Sequence, residues 1–174
     1  MLFMVCSNVY IIGWGRCCMG EDRSEELATI RGKIISDALV VESGLDDIIS
    51  LIFMGKNLES AYLFKEMLLD KEFFTFMNKW KLFREFTKRG MISFESDLVR
   101  KEVLTLIKRV IDVRDHFAHG SIDVENNFAR LTFIEGGEKK TVILSDEYFS
   151  VLKETFDNAV RILNSINEVL KNKV

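Results

Sequence analysis

From Ser24 to about Met54, the apolar residues Leu27, Ile30, Ile34, Ile35, Leu39, Leu45, Ile48, Ile49 and Ile52 recur mostly at helical spacing with polar residues between them. That pattern predicts one long helix, capped by Ser24, open to a bend at Gly44 and ended by Gly55. A short helix is expected from Ser60 to Leu69. A stronger one is expected from Glu72 to Lys88, carrying Phe73, Phe76, Met77, Trp80, Phe83 and Phe86 and stopping at Gly90. Aromatic residues at this spacing are core-forming far more often than base-stacking. The next helix runs from about Ser96 to Ala118, with Leu98, Val99, Val103, Leu106, Ile107, Val110, Ile111 and Val113 on one broad face and Gly120 as its stop.

The period then changes. Phe128 to Ile134 and Thr141 to Ser145 are rich in β-branched and aromatic residues and flank Gly136 and Gly137, which predicts a β-hairpin. A final helix follows from Asp146 to Asn172, capped by Ser145 with Asp146 and carrying Phe149, Leu152, Phe156, Val160, Leu163, Ile166 and Leu170. The expected fold is mainly α: a bundle of four to five helices with a β-hairpin inserted before the last helix. Residues 21–174 are expected to form this single domain, and 1–20 an apolar segment of unknown role.

Composition narrows the class. In 174 residues there is no proline, where average usage predicts about nine, so long helices are permitted throughout. Twenty-four Lys and Arg against 27 Asp and Glu give a net charge of −3, so no global positive field attracts nucleic acid, and any such site is local. Cys6, Cys17 and Cys18 fit neither a disulfide framework nor a paired zinc site, which favours a reducing, cytoplasmic setting. The apolar run Met1–Trp14 lacks the basic start of a signal peptide and is too short to span a membrane.

The candidate chemistry lies at the end of the Ser96–Ala118 helix. Advancing about 100° per residue puts Arg114 in the middle of the apolar stripe, where an unpaired charge is costly, so it must face a partner, a cleft or an interface. Arg100 falls at the edge of the same stripe. The only histidines, His116 and His119, follow Arg114 closely. An imidazole moves a proton near neutral pH and a guanidinium holds phosphoryl oxygens, which together meet the needs of RNA cleavage by an internal 2′-hydroxyl without a metal. Five residues on a regular helix separate two side chains by about 140°, so the helix is expected to end or distort near His119, with Gly120 closing it in the left-handed conformation.

Arg114 to His119 resembles the R-x4-H motif of the HEPN superfamily, and the helix leading into it, Gly120, the hairpin and the closing helix fit the same pattern from roughly Glu26 to Leu170. The resemblance implies a HEPN-like helical bundle, usually dimeric, and a metal-independent endoribonuclease with Arg114 and His119 as its catalytic pair, facing their mates across a homodimer formed through the motif helix. It also implies no cofactor, and a toxin paired with an antitoxin protein as one setting. Asp115 stands where asparagine is commoner and would orient the pair, and His116 is expected on the solvated face in a supporting role. The run Glu85 to Gly120 also looks like the branch related to the mannitol operon repressor, whose members are transcriptional regulators. A non-catalytic regulator or adaptor is therefore the alternative.

Plainer explanations compete. Arg114 can close a buried ion pair with Asp46 or Asp47. His116 and His119 with Asp112 have the spacing of metal ligands, but no third strong ligand cluster accompanies them and no metal is expected. Lys79, Lys81, Arg84, Lys88 and Arg89 read as a solvated helix face; with Arg100, Lys101, Lys108 and Arg109 they offer a path for an RNA backbone.

Overall fold

The structure, a computed structural model, describes residues 22–125 and 128–173, so the expectations for 1–20 lie outside the described residues. Five α-helices and a small antiparallel sheet follow one another: α1 (Asp22–Met54), α2 (Leu58–Phe64), a π-helical turn (Lys65–Leu69), α3 (Phe76–Lys88), α4 (Asp97–His119), β1 (Ser121–Glu125), β2 (Phe128–Glu135), β3 (Glu138–Ile143) and α5 (Asp146–Lys173). The architecture is mainly helical, as the apolar periodicity predicts. No described helix is long and apolar enough to cross a membrane.

Local chemistry sets most boundaries. Asn57, Thr75, Ser96 and Ser145 each accept a hydrogen bond from a backbone N–H three residues on, satisfying one of the donors a helix start leaves open. Thr75 moves the start of α3 from the expected Glu72 to Phe76, and Phe73 stays outside the helix, exposed. Asn57 likewise starts α2 two residues before the expected Ser60, and α1 begins at Asp22, leaving Ser24 inside its first turn. Gly55 and Gly90 close α1 and α3 with φ of 61° and 72°, values that favour glycine. Helix α1 continues through Gly44 without interruption, and Leu163 of α5 packs there: a Cβ on Gly44 would lie 3.1 Å from Leu163 Cδ1.

Helix α4 packs against α1, α3, α5 and β2. Val103, Leu104, Ile107, Val110, Ile111, Val113 and Phe117 are buried, whereas Leu98, expected on the apolar face, is exposed at the helix start. Trp80 of α3 donates its indole N–H to the carbonyl of Leu104 at 3.0 Å, fixing α3 along the middle of α4. The sheet is a three-stranded meander, not the expected hairpin alone: β1 pairs with β2 in front of the β2–β3 hairpin. Ile122, Leu131 and Val142 stand opposite one another across the sheet, with Leu131 fully buried. Gly136 and Gly137, both with positive φ, make the two-residue turn between β2 and β3.

Gly120 ends α4 for a reason other than the expected one. Its φ of −77° and ψ of 159° are extended, not left-handed. Space requires the glycine: a Cβ there would lie 2.5 Å from the His116 carbonyl oxygen and 2.8 Å from that of Thr132, both backbone atoms. Gly120→Ala should therefore lower the unfolding free energy by about 1–3 kcal/mol. Gly32→Ala, in a helix interior with no atom within 4 Å of the new Cβ, should raise it by about 0.5–1 kcal/mol. Urea denaturation of the two variants beside the wild type measures both signs.

Candidate functional site

The residues around Arg114 are assembled by α1, α3 and α4. Phe76 begins the apolar stripe of α3, and Lys79 and Phe83 continue it at helical spacing, so Lys79 is carried into the interior. It is 4% exposed, and its Nζ lies 2.8 Å from Glu42 Oε1 and 2.9 Å from Asp46 Oδ2 of α1. Lys79 thus does not belong to a solvated basic face. It also takes the acid proposed as a partner for Arg114, and the other candidate, Asp47, lies 3.4 Å from Lys65.

One lysine between two acids in a buried position is unevenly compensated. Burial pushes Asp46 up from the ordinary 3.8 to about 6, with the hydrogen bond and charge of Lys79 opposing the rise and Glu42 adding to it. Burial alone would depress Lys79, but its hydrogen bonds to Glu42 and Asp46 outweigh it and leave the amine raised. Asp46 Oδ1 is buried and has no hydrogen-bond partner among the described residues.

Released from these acids, Arg114 keeps one carboxylate partner, Asp115 on its own helix, at 3.1 Å. Its guanidinium carbon sits 5.8 Å from the centroid of the buried Phe76 ring, a cation–π arrangement. The side chain is 27% exposed and lines an open groove of about 500 Å³ together with Leu39, Glu42, Asp46, Phe76 and Lys79. An anion entering this groove meets a planar donor fork whose present partner, Asp115, is itself 44% exposed and so weakly held.

The two histidines occupy different settings. His119 is the last residue of α4 and is exposed. Helix α4 is assigned without a break from Asp97 to His119, so the five residues after Arg114 turn the chain by about 140°, and His119 does not line the Arg114 groove. His116, expected on the solvated face, is half-buried and stacked on Phe133 of β2, ring centroids 3.6 Å apart. Burial there holds its imidazole below the ordinary histidine value, against the opposing charges of Glu135, Asp112 and Asp115.

The wider basic path is interrupted. Arg100 donates from Nε and Nη2 to Asp97 and stands fourteen residues before Arg114, about 21 Å along a helix, so it does not share one phosphate with Arg114. Lys101 pairs with Asp97, Lys108 with Asp112, and Lys88 with Glu85. Arg84 lies over the Trp80 ring. Lys81, Arg89 and Arg109 stand exposed. Among the described residues no group of three His, Cys, Asp or Glu is placed to hold a metal ion.

Sequence spacing did not single out Arg31 or Glu42, and it offered Asp46 to Arg114 instead of Lys79. Arg31 of α1 donates Nη2 to the Gly120 carbonyl at 2.8 Å, holding the end of α4 beside His119. Glu42 and Asp46, four residues apart on α1, face Lys79. Asp46 carried a signal, since it stands directly between Leu45 and the Ile48–Ile49 pair; Arg31 carried none. Against protein-family models, curated proteins and solved structures, the chain has no match.

The triad yields a pH prediction with a fixed sign. The folded Asp46 holds its proton more tightly than the unfolded chain, so the stability this contributes is complete below about pH 4 and is lost as pH rises through about 6. Asp46→Asn keeps an acceptor for Lys79 and removes the titration. Between pH 4 and 7 the wild type should lose on the order of 2–3 kcal/mol relative to that variant. Parallel urea stability curves for the two proteins across this range would contradict the assignment.

Proposed function

We propose that the chain is a HEPN-type, metal-independent endoribonuclease in which Arg114 and His119 act on one phosphodiester, with the working site completed by a second copy. The observation that carries this reading is that Glu42 and the buried Asp46 are both engaged by Lys79, leaving Arg114 partly exposed over Phe76 at an open groove. A purely structural arginine in this stripe would have taken one of those acids.

In the proposed reaction the substrate's 2′-oxygen attacks the adjacent phosphorus, the bond to the 5′-oxygen breaks, and the ends are a 2′,3′-cyclic phosphate and a 5′-hydroxyl. His119 takes the proton from the 2′-hydroxyl or gives one to the leaving 5′-oxygen, a contribution of about 10²–10⁴ in rate. Arg114 stabilises the charge that builds on the phosphoryl oxygens. Two copies supply two imidazoles, so acid and base come from different chains. A toxin held in check by an antitoxin is one biological setting for such an activity.

The regular course of α4 through Arg114 and His119 favours a second reading. If no partner copy brings the two side chains together, the fold serves as a non-catalytic regulator or adaptor related in type to the mannitol operon repressor, with Arg114 binding an anion. Incubation of end-labelled RNA with the purified protein in EDTA separates the two. The nuclease reading expects cyclic-phosphate products and a loss of about 10²-fold or more in rate for both Arg114→Ala and His119→Ala. Equal cleavage by wild type and both variants rejects it, and anion binding without cleavage supports the regulator.

A further inference from the structure

A second groove, of about 550 Å³, lies where the C-terminal part of α1, helix α2 and the end of α5 meet. Its apolar wall is Leu51, Leu58, Ala61 and Tyr62. Leu58 is 85% and Tyr62 68% exposed, a large apolar area for neighbouring positions on one short helix. Three lysines, Lys56, Lys65 and Lys171, line the same groove against one aspartate, Asp47, so the locale is positive in a chain of net charge −3. Lys65 is paired with Asp47 at 3.4 Å and Lys171 with Glu168 at 2.8 Å, both at the surface, where such pairs hold weakly and exchange readily.

The groove also holds an unmet polar group. Ser50 is 6% exposed, lines the groove, and its buried hydroxyl has no hydrogen-bond partner among the described residues. A concave surface between three helices suits a rod-shaped occupant better than a planar bilayer.

We propose that this groove docks an amphipathic helix of a partner protein, apolar on the face that meets Leu58 and Tyr62 and acidic along the edges that meet Lys56, Lys65 and Lys171. Lys65 lines both grooves, but the inference does not rest on the ribonuclease reading, because Leu58, Lys56 and Lys171 lie outside the Arg114 groove.

The test pans the full chain against a displayed library of peptides about 15 residues long, enough for four helical turns. The expected result is enrichment of sequences with apolar residues at i, i+3 or i+4, and i+7, flanked by Asp or Glu. A synthetic consensus peptide should then bind the wild type in fluorescence anisotropy. Leu58→Asp and Lys56→Glu should each weaken it by about tenfold or more, with unchanged circular dichroism, since both side chains are exposed. Four results overturn the proposal: no enrichment, enriched peptides without acidic residues, full affinity retained in Leu58→Asp, or enriched peptides that fail to bind in solution. It is also overturned if Leu58→Asp abolishes binding to phosphatidylglycerol vesicles or dissociates a dimer in sedimentation without affecting peptide affinity, which assigns the face to lipid or to a second copy.

Discussion

The buried contact of Lys79 with Glu42 and Asp46 is the interaction on which the rest of the molecule turns. It joins α3 to α1 through largely buried charges, and removing one member of such a set leaves a poorly compensated ion at a cost of up to about 3–5 kcal/mol. It also decides what Arg114 is. One lysine and two acids from two helices already pair with one another, so the guanidinium on α4 is not what holds these acids in place. It rests on the face of Phe76 and keeps a contact with Asp115 that solvent shares. An arginine in a helix's apolar stripe without a buried counter-charge is an arrangement that stability alone does not explain, because an apolar residue there would pack without the cost of partial desolvation.

The triad bears on the groove in a second way. Asp46 has one oxygen on Lys79 and one without a partner, and its carboxyl holds a proton up to about pH 6. Below that pH the wall of the Arg114 groove carries one negative charge fewer, and an incoming anion meets less repulsion. The same side chain therefore links the stability of the bundle to the electrostatics of the groove, and the two move in the same direction with pH.

Much of this fold was legible in the residues, and the misses share physical causes. Helices with a strong apolar stripe and a glycine past their end were placed within a few residues: the Gly90 stop, the Ser145 cap and the Gly136–Gly137 turn all act where the pattern puts them. Side-chain capping moved α3 by four residues, because Thr75 offers an oxygen to the backbone that periodicity does not weigh. Strand β1 escaped because Ser121–Glu125 holds only two apolar residues, Ile122 and Val124, and is recognisable only when β2 lies beside it. Lys79 belongs by charge to a solvated face but by position to the face of Phe76 and Phe83, and position decides because Glu42 and Asp46 wait on α1 to pair with it. His116 could not be placed from its own helix, since its stacking partner Phe133 comes from a strand seventeen residues later.

Gly120 and Arg31 set the limits on how the motif can work. The glycine lets β2 approach the last turn of α4 to the point where a methyl group would strike the Thr132 carbonyl, and Arg31 ties the same carbonyl-rich end to α1. With its terminus held from two sides, α4 has little freedom to unwind and swing His119 toward Arg114 in the same chain. On the proposed reading the imidazole that meets Arg114 must then come from another copy, because the exposed ridge of α4 turns His119 away from the Arg114 groove. That ridge carries Lys101, Lys108, Arg109, Asp112 and Asp115, and Leu98 is its one large exposed apolar side chain. Two such ridges have little apolar surface to bury against each other, while interface cores are typically depleted in charge. The lysines of the ridge are already paired along the helix, Lys101 with Asp97 and Lys108 with Asp112, so this face is mixed in charge and not a basic track.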